Sequence, residues 1–192
     1  MQTLIAHART FARSQGAELG KLAAGQSPHA LFITCSDSRV VPSLITGARP
    51  GELFELRTAG NIVPPYDAGP TSEAATIEYA VTVLGVSDIV VCGHSHCGAV
   101  GALVRGDDLS AVPAVRDWLG HAGGLPAGAQ DDPLVAEAVQ QHVLAQVLRL
   151  KSYPCVETRL HDGRLRVHAW FYEVHTGGVL AYRTESDSFE TL

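Results

Sequence analysis

The chain has 192 residues, of which 46% are hydrophobic and 18% charged, so it can bury a core and is too apolar to be a disordered chain. Its net charge of −6 argues against nucleic acid as the main partner, because phosphate binding depends on clustered Lys and Arg. No apolar run approaches the roughly 18 residues of a membrane span, and the N-terminus lacks a secretory signal, so we expect a cytoplasmic protein with no membrane partner.

The predicted elements begin with one or two helices over residues 1–24, where apolar residues recur at helical spacing. Strand and helix patterns then alternate, and in chain order they predict strand 30–35, helix 40–47, strand 52–57, loop 59–70, helix 71–85, strand 87–92 and helix 98–104. This alternation is typical of a parallel sheet covered by helices on both faces.

The second half of the chain is predicted to start with a mostly irregular segment, 105–132, that is rich in Gly and contains one short helix. A long helix follows at 132–151, and strands are predicted at 164–174 and 178–183. Because these two strands are close in sequence, they should pair antiparallel at an edge. The predicted fold class is therefore α/β, with a mainly parallel central sheet and an added antiparallel edge strand.

Two short segments concentrate residues with chemical function. Cys-Ser-Asp-Ser-Arg at 35–39 and Cys-Gly-His-Ser-His-Cys-Gly at 92–98 each follow a predicted buried strand, and ligands of open α/β sheets bind beyond the carboxyl ends of strands. Zinc prefers sulfur and nitrogen ligands in a tetrahedron, and a catalytic site keeps one position open. Cys35, His94 and Cys97 can supply three ligands, so we predict a zinc site here.

The fourth zinc position has three candidate occupants, which are His96, Cys92 and Asp37. His96 would need a strained chelate, and Cys92 is expected to point into the core. Asp37 lies two residues from Arg39, and a carboxylate that makes a two-pronged pair with Arg39 leaves the fourth position to water. Released from Arg39, it could close the site. Buried thiols without a metal and a simple surface salt bridge remain the alternatives.

These motifs resemble those of the β-class carbonic anhydrases. Besides the two segments above, the intervening stretches Pro-Gly-Glu-Leu-Phe-Glu-Leu-Arg (50–57), Ala-Gly-Asn-Ile-Val-Pro-Pro-Tyr (59–66) and Ala-Ala-Thr-Ile-Glu-Tyr-Ala-Val (74–81) match that family in the same order. The resemblance runs from about residue 25 to 104, with looser support from 165 to 178. Five separate motifs in the right order make it highly specific.

The resemblance implies a fold, an assembly and an activity. The chain would be a single domain over 1–192, with an N-terminal helical arm at 1–27 that wraps a partner subunit. A homodimer or a higher even homo-oligomer is expected. The implied reaction is zinc-dependent, reversible hydration of carbon dioxide to bicarbonate and a proton by attack of zinc-bound hydroxide, with one Zn²⁺ per chain.

The resemblance also assigns roles to individual residues. It implies that Cys35, His94 and Cys97 hold zinc and that Asp37 and Arg39 form a catalytic pair that keeps the zinc water in place. Substrate-binding positions, some of them reaching the pocket across the dimer interface, are matched by Gln26, Phe54, Ala59, Tyr79 and the Gly98 N–H.

Two positions depart from the family pattern. Thr58 stands where the family often has Asn, which bears on the shape of that turn. In a bicarbonate-inhibited subclass, Arg57 and Tyr172 would match two residues of an inhibitory site, but Phe32 replaces its Trp. We therefore expect a site that is open at neutral pH.

Other functions are compatible with the same residues. Zinc hydroxide could hydrolyse carbon disulfide or carbonyl sulfide, and a non-catalytic zinc-binding module is a second alternative. Among the nine histidines, His96 is the nearest in sequence to serve as a proton shuttle. Five others are expected to be surface residues, namely His7, His29, His121, His142 and His161.

Overall fold

The structure, a computed structural model, describes residues 1–124 and 132–192. The stretch 125–131 of the predicted irregular segment lies outside these described residues. The six strands are β1 (Ala30–Cys35), β2 (Leu53–Thr58), β3 (Asp88–His94), β4 (Arg166–Tyr172), β5 (Val179–Arg183) and β6 (Ser188–Thr191). They form one sheet in the order β2-β1-β3-β4-β5-β6.

The first four strands of this order run parallel, and β5 and β6 are antiparallel to their neighbours. The predicted α/β class with a mainly parallel sheet and an antiparallel edge is therefore confirmed. The edge has two antiparallel strands rather than the expected one. The additional strand, β6, is short, follows a turn in which Asp187 has φ +51°, and pairs Ser188 with Arg183.

The described helices are α1 (Gln2–Gly20), α2 (Pro42–Thr46), α3 (Ser72–Glu78), α4 (Gly98–Arg105), α5 (Pro113–Leu119), α6 (Asp132–Lys151) and α7 (Pro154–His161). Six of them match predicted helices, whereas α7 was not expected from the sequence. The predicted helix at 71–85 starts with Thr71, whose side chain accepts from the Ala74 N–H, and continues beyond α3 as a π turn to Gly85. Gly85 ends it in the left-handed region at φ +68°.

The main core lies between one face of the sheet and helices α3, α4, α6 and α7. Alternate strand residues such as Leu31, Ile33 and Val91 point into it and are fully buried. Helix α6 lies very close to β3, because a Cβ on Gly93 would be only 2.5 Å from Val143. A glycine at this position therefore lets a rigid helix pack directly beside His94, the last residue of β3.

The opposite face of the sheet carries a smaller cluster that consists of strand residues. Phe32, Val90 and Cys92 are buried there, and the Phe32 ring meets Trp170 edge-on at 5.9 Å. Cys92 is fully buried, as expected for a core thiol. Residues of α2 line a cavity of about 450 Å³ together with Trp170, so a helix lies on this side as well.

The N-terminal helix α1 presents apolar side chains to solvent in the isolated chain. Leu4 is 69% exposed and Ile5 is 37% exposed, although burial of such side chains is favourable. No helix among the described residues has the length and hydropathy needed to cross a bilayer.

The starts of β3 and β4 are joined by a charged cluster around Asp88. Its carboxylate accepts from Arg166 at two distances of 2.7 Å and contacts His168 Nε2 at 2.8 Å. Arg166 above all, with His168, holds the pKa of Asp88 well below its usual range. A depressed pKa in the folded state means that the stabilisation is present at neutral pH and is lost as the pH falls.

Asp88→Asn is therefore expected to lower the free energy of unfolding by about 1 kcal/mol near neutral pH, since much of Arg166 is exposed. The difference from the parent should shrink as the pH falls below about 4. Urea unfolding at several pH values measures it. Asp107→Asn, which breaks the pair between Arg105 and a more exposed carboxylate, is the control and should leave stability close to that of the parent. A pH-independent loss in Asp88→Asn would contradict the electrostatic explanation.

Candidate metal centre

Three side chains that could hold a metal ion meet at the carboxyl end of the sheet. Cys35 is the last residue of β1, His94 is the last residue of β3, and Cys97 precedes the first residue of α4. Their ligand atoms all lie within 4.8 Å of one another, and all three residues are buried. The neighbouring parallel strands β1 and β3 bring together residues that are 59 positions or more apart in sequence.

The His94 ring is arranged to present a lone pair towards the two thiols. Its Nδ1 is 2.9 Å from the Ser95 carbonyl, which can only accept, so the ring proton is on Nδ1. Its Nε2 is fully buried and has no hydrogen-bond partner among the described residues. Such an orphaned acceptor is costly unless it binds something. With two cysteine sulfurs beside it, this donor set fits zinc.

The turn that carries His94 is itself fixed by hydrogen bonds to β4 and the residues after it. The Ser95 N–H donates to the Tyr172 carbonyl at 2.9 Å, and the Ser95 hydroxyl accepts from the Val174 N–H at 3.0 Å. His96, the next residue, has φ +58°, which turns the chain so that Cys97 also faces the site. The tightly held turn therefore lets His94 and Cys97, which are three residues apart, face the same site.

The two cysteines influence each other's protonation. A hydrogen bond donated by the Cys97 S–H, together with backbone hydrogen bonds from Asp37 and Gly60, lowers the pKa of the Cys35 thiol. The neighbouring Cys35 sulfur and burial together raise the pKa of Cys97. A thiolate is thus favoured at Cys35, and thiolates are the form in which cysteine binds metals.

Asp37 and Arg39 form a two-pronged ion pair next to the ligands. Arg39 Nε and Nη2 donate to the two carboxylate oxygens at 2.9 and 2.7 Å, and the Arg39 N–H also donates to Asp37. Arg39 Nη2 is further tied to the His96 carbonyl at 3.1 Å. Asp37 Oδ2 lies 3.9 Å from His94 Nε2. Arg39 holds the pKa of Asp37 well below its usual range, so the carboxylate stays ionised.

Arg57 is engaged with the backbone of the same segment. Its guanidinium donates to the carbonyls of Cys35 at 3.0 Å, Asp37 at 2.8 Å and Val40 at 2.7 Å. These bonds hold the segment that contains the acid–arginine pair. The next residue, Thr58, fills the position of the family's Asn and donates through its hydroxyl to the Ile62 carbonyl at 3.1 Å.

The residues predicted to bind substrate are distributed in two groups. Phe54 and Tyr79 contact each other with their ring centroids 5.9 Å apart, and Tyr79 is 45% exposed. Gly98 opens helix α4, and a Cβ placed on it would meet nothing within 4 Å. Ala59 directly follows β2.

Gln26 lies in the other group, away from the predicted ligands. It lines a cavity of about 590 Å³ with Leu22, Arg49, Gly51 and other residues, none of which is a predicted zinc ligand. Within the described chain, Gln26 therefore belongs to the surface near the end of the N-terminal arm.

A functional contact that the sequence did not reveal comes from the turn after β2. The Gly60 N–H donates to Cys35 Sγ at 3.4 Å. Gly60 has φ +72°, and a Cβ there would lie 3.1 Å from the Ala99 side chain, so only glycine fits without strain. The glycine of the Ala-Gly-Asn motif was the signal that could have indicated this close approach.

The prediction that His142 is a surface residue is wrong. The ring is fully buried on α6, and its Nε2 lies 2.8 Å from the Gly60 carbonyl. Four residues further along the same face, Gln146 is also fully buried. This pairing at helical spacing was visible in the sequence, but polar residues are mostly exposed, so the pattern suggested solvent.

The sequence of this chain is similar to those of known carbonic anhydrases. The family model described as carbonic anhydrase matches residues 30–179 of the chain. A carbonic anhydrase of Pseudomonas aeruginosa is 48% identical over 177 residues, which cover 89% of this chain and 80% of that protein. One from Synechococcus elongatus is 47% identical over 176 residues, covering 87% of this chain and 65% of that protein.

Solved structures of β-carbonic anhydrases are also similar to the structure of this chain. The β-carbonic anhydrase CcaA superposes with a TM-score of 0.94 at 39% identity, covering 100% of this chain and 99% of that one. A tetrameric β-carbonic anhydrase from Sordaria macrospora superposes with a TM-score of 0.78 at 32% identity, covering 94% of this chain and 93% of that one.

Proposed function

Since this chain belongs to the β-class carbonic anhydrases, it is an enzyme that hydrates carbon dioxide reversibly with zinc, and we propose that Asp37 and Arg39 control the reacting water. The observation that carries this proposal is the two-pronged pair beside the buried, unpartnered His94 Nε2. Nothing in the described residues or in the comparisons favours carbon disulfide or carbonyl sulfide as substrate, or a zinc module without turnover.

Cys35, His94 and Cys97 would hold one zinc ion in each chain. When bound, zinc lowers the pKa of a water ligand, which supplies a nucleophile for carbon dioxide near neutral pH. Two thiolates cancel the formal charge of the ion, so we expect this water to be less acidic than in a three-histidine site. Activity should therefore rise as the pH increases above neutrality.

Asp37 orients the reacting water, and Arg39 restrains Asp37. The ionised carboxylate, 3.9 Å from the metal-facing nitrogen of His94, can accept a hydrogen bond from that water. Both of its oxygens are held by Arg39, which keeps the carboxylate from becoming a further metal ligand. A zinc ion held by Cys35, His94 and Cys97 would then keep a position for water.

The substrate pocket has apolar walls and one exposed donor. Phe54, Ala59 and Tyr79 provide a surface suited to carbon dioxide, which has no charge and a small volume. Gly98 is exposed at the start of α4, where N–H groups have no partner within the helix, and its N–H can donate to bicarbonate. Gln26 would enter this pocket from the other subunit, consistent with its place outside the local site.

The pocket and the arm both imply an assembly of at least two chains. The exposed apolar residues of α1, such as Leu4 and Ile5, and the 45% exposure of Tyr79 would be covered by a partner subunit. We therefore propose a homodimer or a higher even oligomer of one domain, 1–192, whose arm at 1–27 clasps the partner. The four cysteines are free thiols, and two of them would be zinc ligands. Both points support residence in the reducing cytoplasm.

A stopped-flow assay of carbon dioxide hydration tests this function directly. Purified protein with about one zinc per chain should hydrate carbon dioxide with a rate that increases above neutral pH, and sedimentation of the same sample should give an even multiple of the chain mass. Sulfide release from carbonyl sulfide serves as the control reaction. A zinc-loaded, folded protein that releases sulfide but forms no bicarbonate would contradict the assignment.

A further inference from the structure

Gly60 lies between two side chains that hold the peptide groups on either side of it. Its N–H donates to Cys35 Sγ at 3.4 Å. The carbonyl of that same peptide group belongs to Ala59, and it accepts from the indole Nε1–H of Trp118 at 2.9 Å. The next carbonyl, that of Gly60, contacts His142 Nε2 at 2.8 Å. Both peptide planes around the Gly60 Cα are therefore fixed from outside the turn.

The surroundings of His142 select the tautomer that can act as a donor. Its Nδ1 is 3.4 Å from Gln146 Nε2, which carries only donor hydrogens. A carbonyl at Nε2 and an amide N–H at Nδ1 are satisfied together by the neutral ring with its proton on Nε2. Gln146 cannot be flipped instead, because its Oε1 accepts from the Val63 N–H at 3.0 Å and its Nε2 donates to the Ala122 carbonyl at 3.2 Å.

We propose that Trp118 and His142 are positioning residues of the zinc site, which together keep the Gly60 N–H directed at the Cys35 sulfur. The inference rests on the zinc site described above and concerns residues that lie outside it. Each of the two donors comes from a different helix, α5 for Trp118 and α6 for His142. The turn is thus held against two separate parts of the fold.

This arrangement affects the sulfur as a ligand. An N–H donor withdraws electron density from a thiolate and fixes its orientation, and hydrogen bonds to ligands typically change metal affinity or activity by about 10–100-fold. The Trp118 bond acts on the opposite end of the same peptide group, and hydrogen bonds in series strengthen one another. Without these anchors, the Gly60 N–H can turn away from Cys35.

Trp118→Phe and His142→Leu each remove one donor. Transfer of zinc from either variant to a chromogenic chelator is expected to be about 10-fold faster than from the parent. In cobalt-substituted protein, the sulfur-to-cobalt charge-transfer band should move to lower energy. A thiolate that no longer accepts a hydrogen bond from the Gly60 N–H gives up electrons more readily. His142→Gln, whose amide can still donate to Gly60, should recover most of both effects. The double variant should exceed either single variant only slightly, since both act through one N–H.

Tyr153→Phe is the matched control. The buried Tyr153 hydroxyl donates to the Pro64 carbonyl at 2.7 Å, further along the same segment after β2, and does not touch the Cys35 contact. This variant should lower the melting temperature without changing zinc transfer or the cobalt spectrum.

The proposal is overturned if folded Trp118→Phe transfers zinc at the parental rate and keeps the parental cobalt band. Should His142→Leu fail to fold, Trp118→Phe decides the matter alone, because Trp118 is only half-buried. A parent protein that binds zinc and hydrates carbon dioxide keeps the proposed function intact in either case.

Discussion

Cys35→Ser is expected to lose stoichiometric zinc and, with it, carbon dioxide hydration. A serine hydroxyl stays protonated near neutral pH and is a poor zinc ligand, whereas the environment of Cys35 favours the thiolate. His94 and Cys97 would remain as only two ligands, too few for a stable tetrahedral site. Metal analysis after dialysis should find roughly a tenth of the parental zinc or less, and hydration should fall to the background rate.

The control for this substitution is Cys155→Ser. Cys155 is partly exposed on α7 and is not a member of the metal cluster, so this variant should keep one zinc per chain and parental activity. Circular dichroism of both variants distinguishes loss of the metal from loss of the fold. If Cys35→Ser retained one zinc per chain and full activity, Cys35 would be removed from the site.

Asp37→Ala should keep zinc and lose turnover. The carboxylate is not needed to hold the metal, since three ligands remain, but it would no longer accept a hydrogen bond from the reacting water. Loss of a group that positions a transferred proton typically costs about 10²–10⁴-fold in rate. Stopped-flow hydration and zinc content, measured on the same sample, test both parts. Equal rates for parent and variant would refute the role of the acid.

Arg39→Ala tests the other half of the same pair, and its expected effect has a different cause. Asp37 would be released from both of its guanidinium contacts and could move onto the metal as a fourth ligand. Activity should fall although every group that touches substrate is still present. Asp107→Ala provides a control, because it breaks an Arg–Asp pair of the same two-residue spacing on the surface. That variant should hydrate carbon dioxide at the parental rate.

The sequence was sufficient to predict most of the sheet and the meeting of Cys35, His94 and Cys97, for a physical reason. Buried parallel strands appear as short apolar runs, and their carboxyl ends must lie side by side. Cys35 and His94 sit at two such ends, so a local pattern and one general property of parallel sheets locate the site. The short connection between β4 and β5 predicted that these two strands pair antiparallel, which the structure confirms.

What the sequence could not predict are contacts between distant segments. Trp118 and His142 lie 59 and 82 residues from their acceptors at Ala59 and Gly60, and no local pattern encodes such a pairing. The helix α7 was missed because its eight residues contain few apolar positions, although Pro154 at its first position is typical of a helix start. Strand β6 has four residues, too few for alternation to be visible.

The origin of the metal ligands also has a consequence for how the enzyme is made. Cys35 is brought to His94 only by pairing of β1 with β3, whose partners in register, such as Ala30 and Asp88, are 58 positions apart. No short nascent segment contains the full donor set, so a growing chain cannot capture the ion early. The complete donor set therefore exists only once β1 and β3 have paired, so an ion bound there would stabilise the folded chain over the unfolded one.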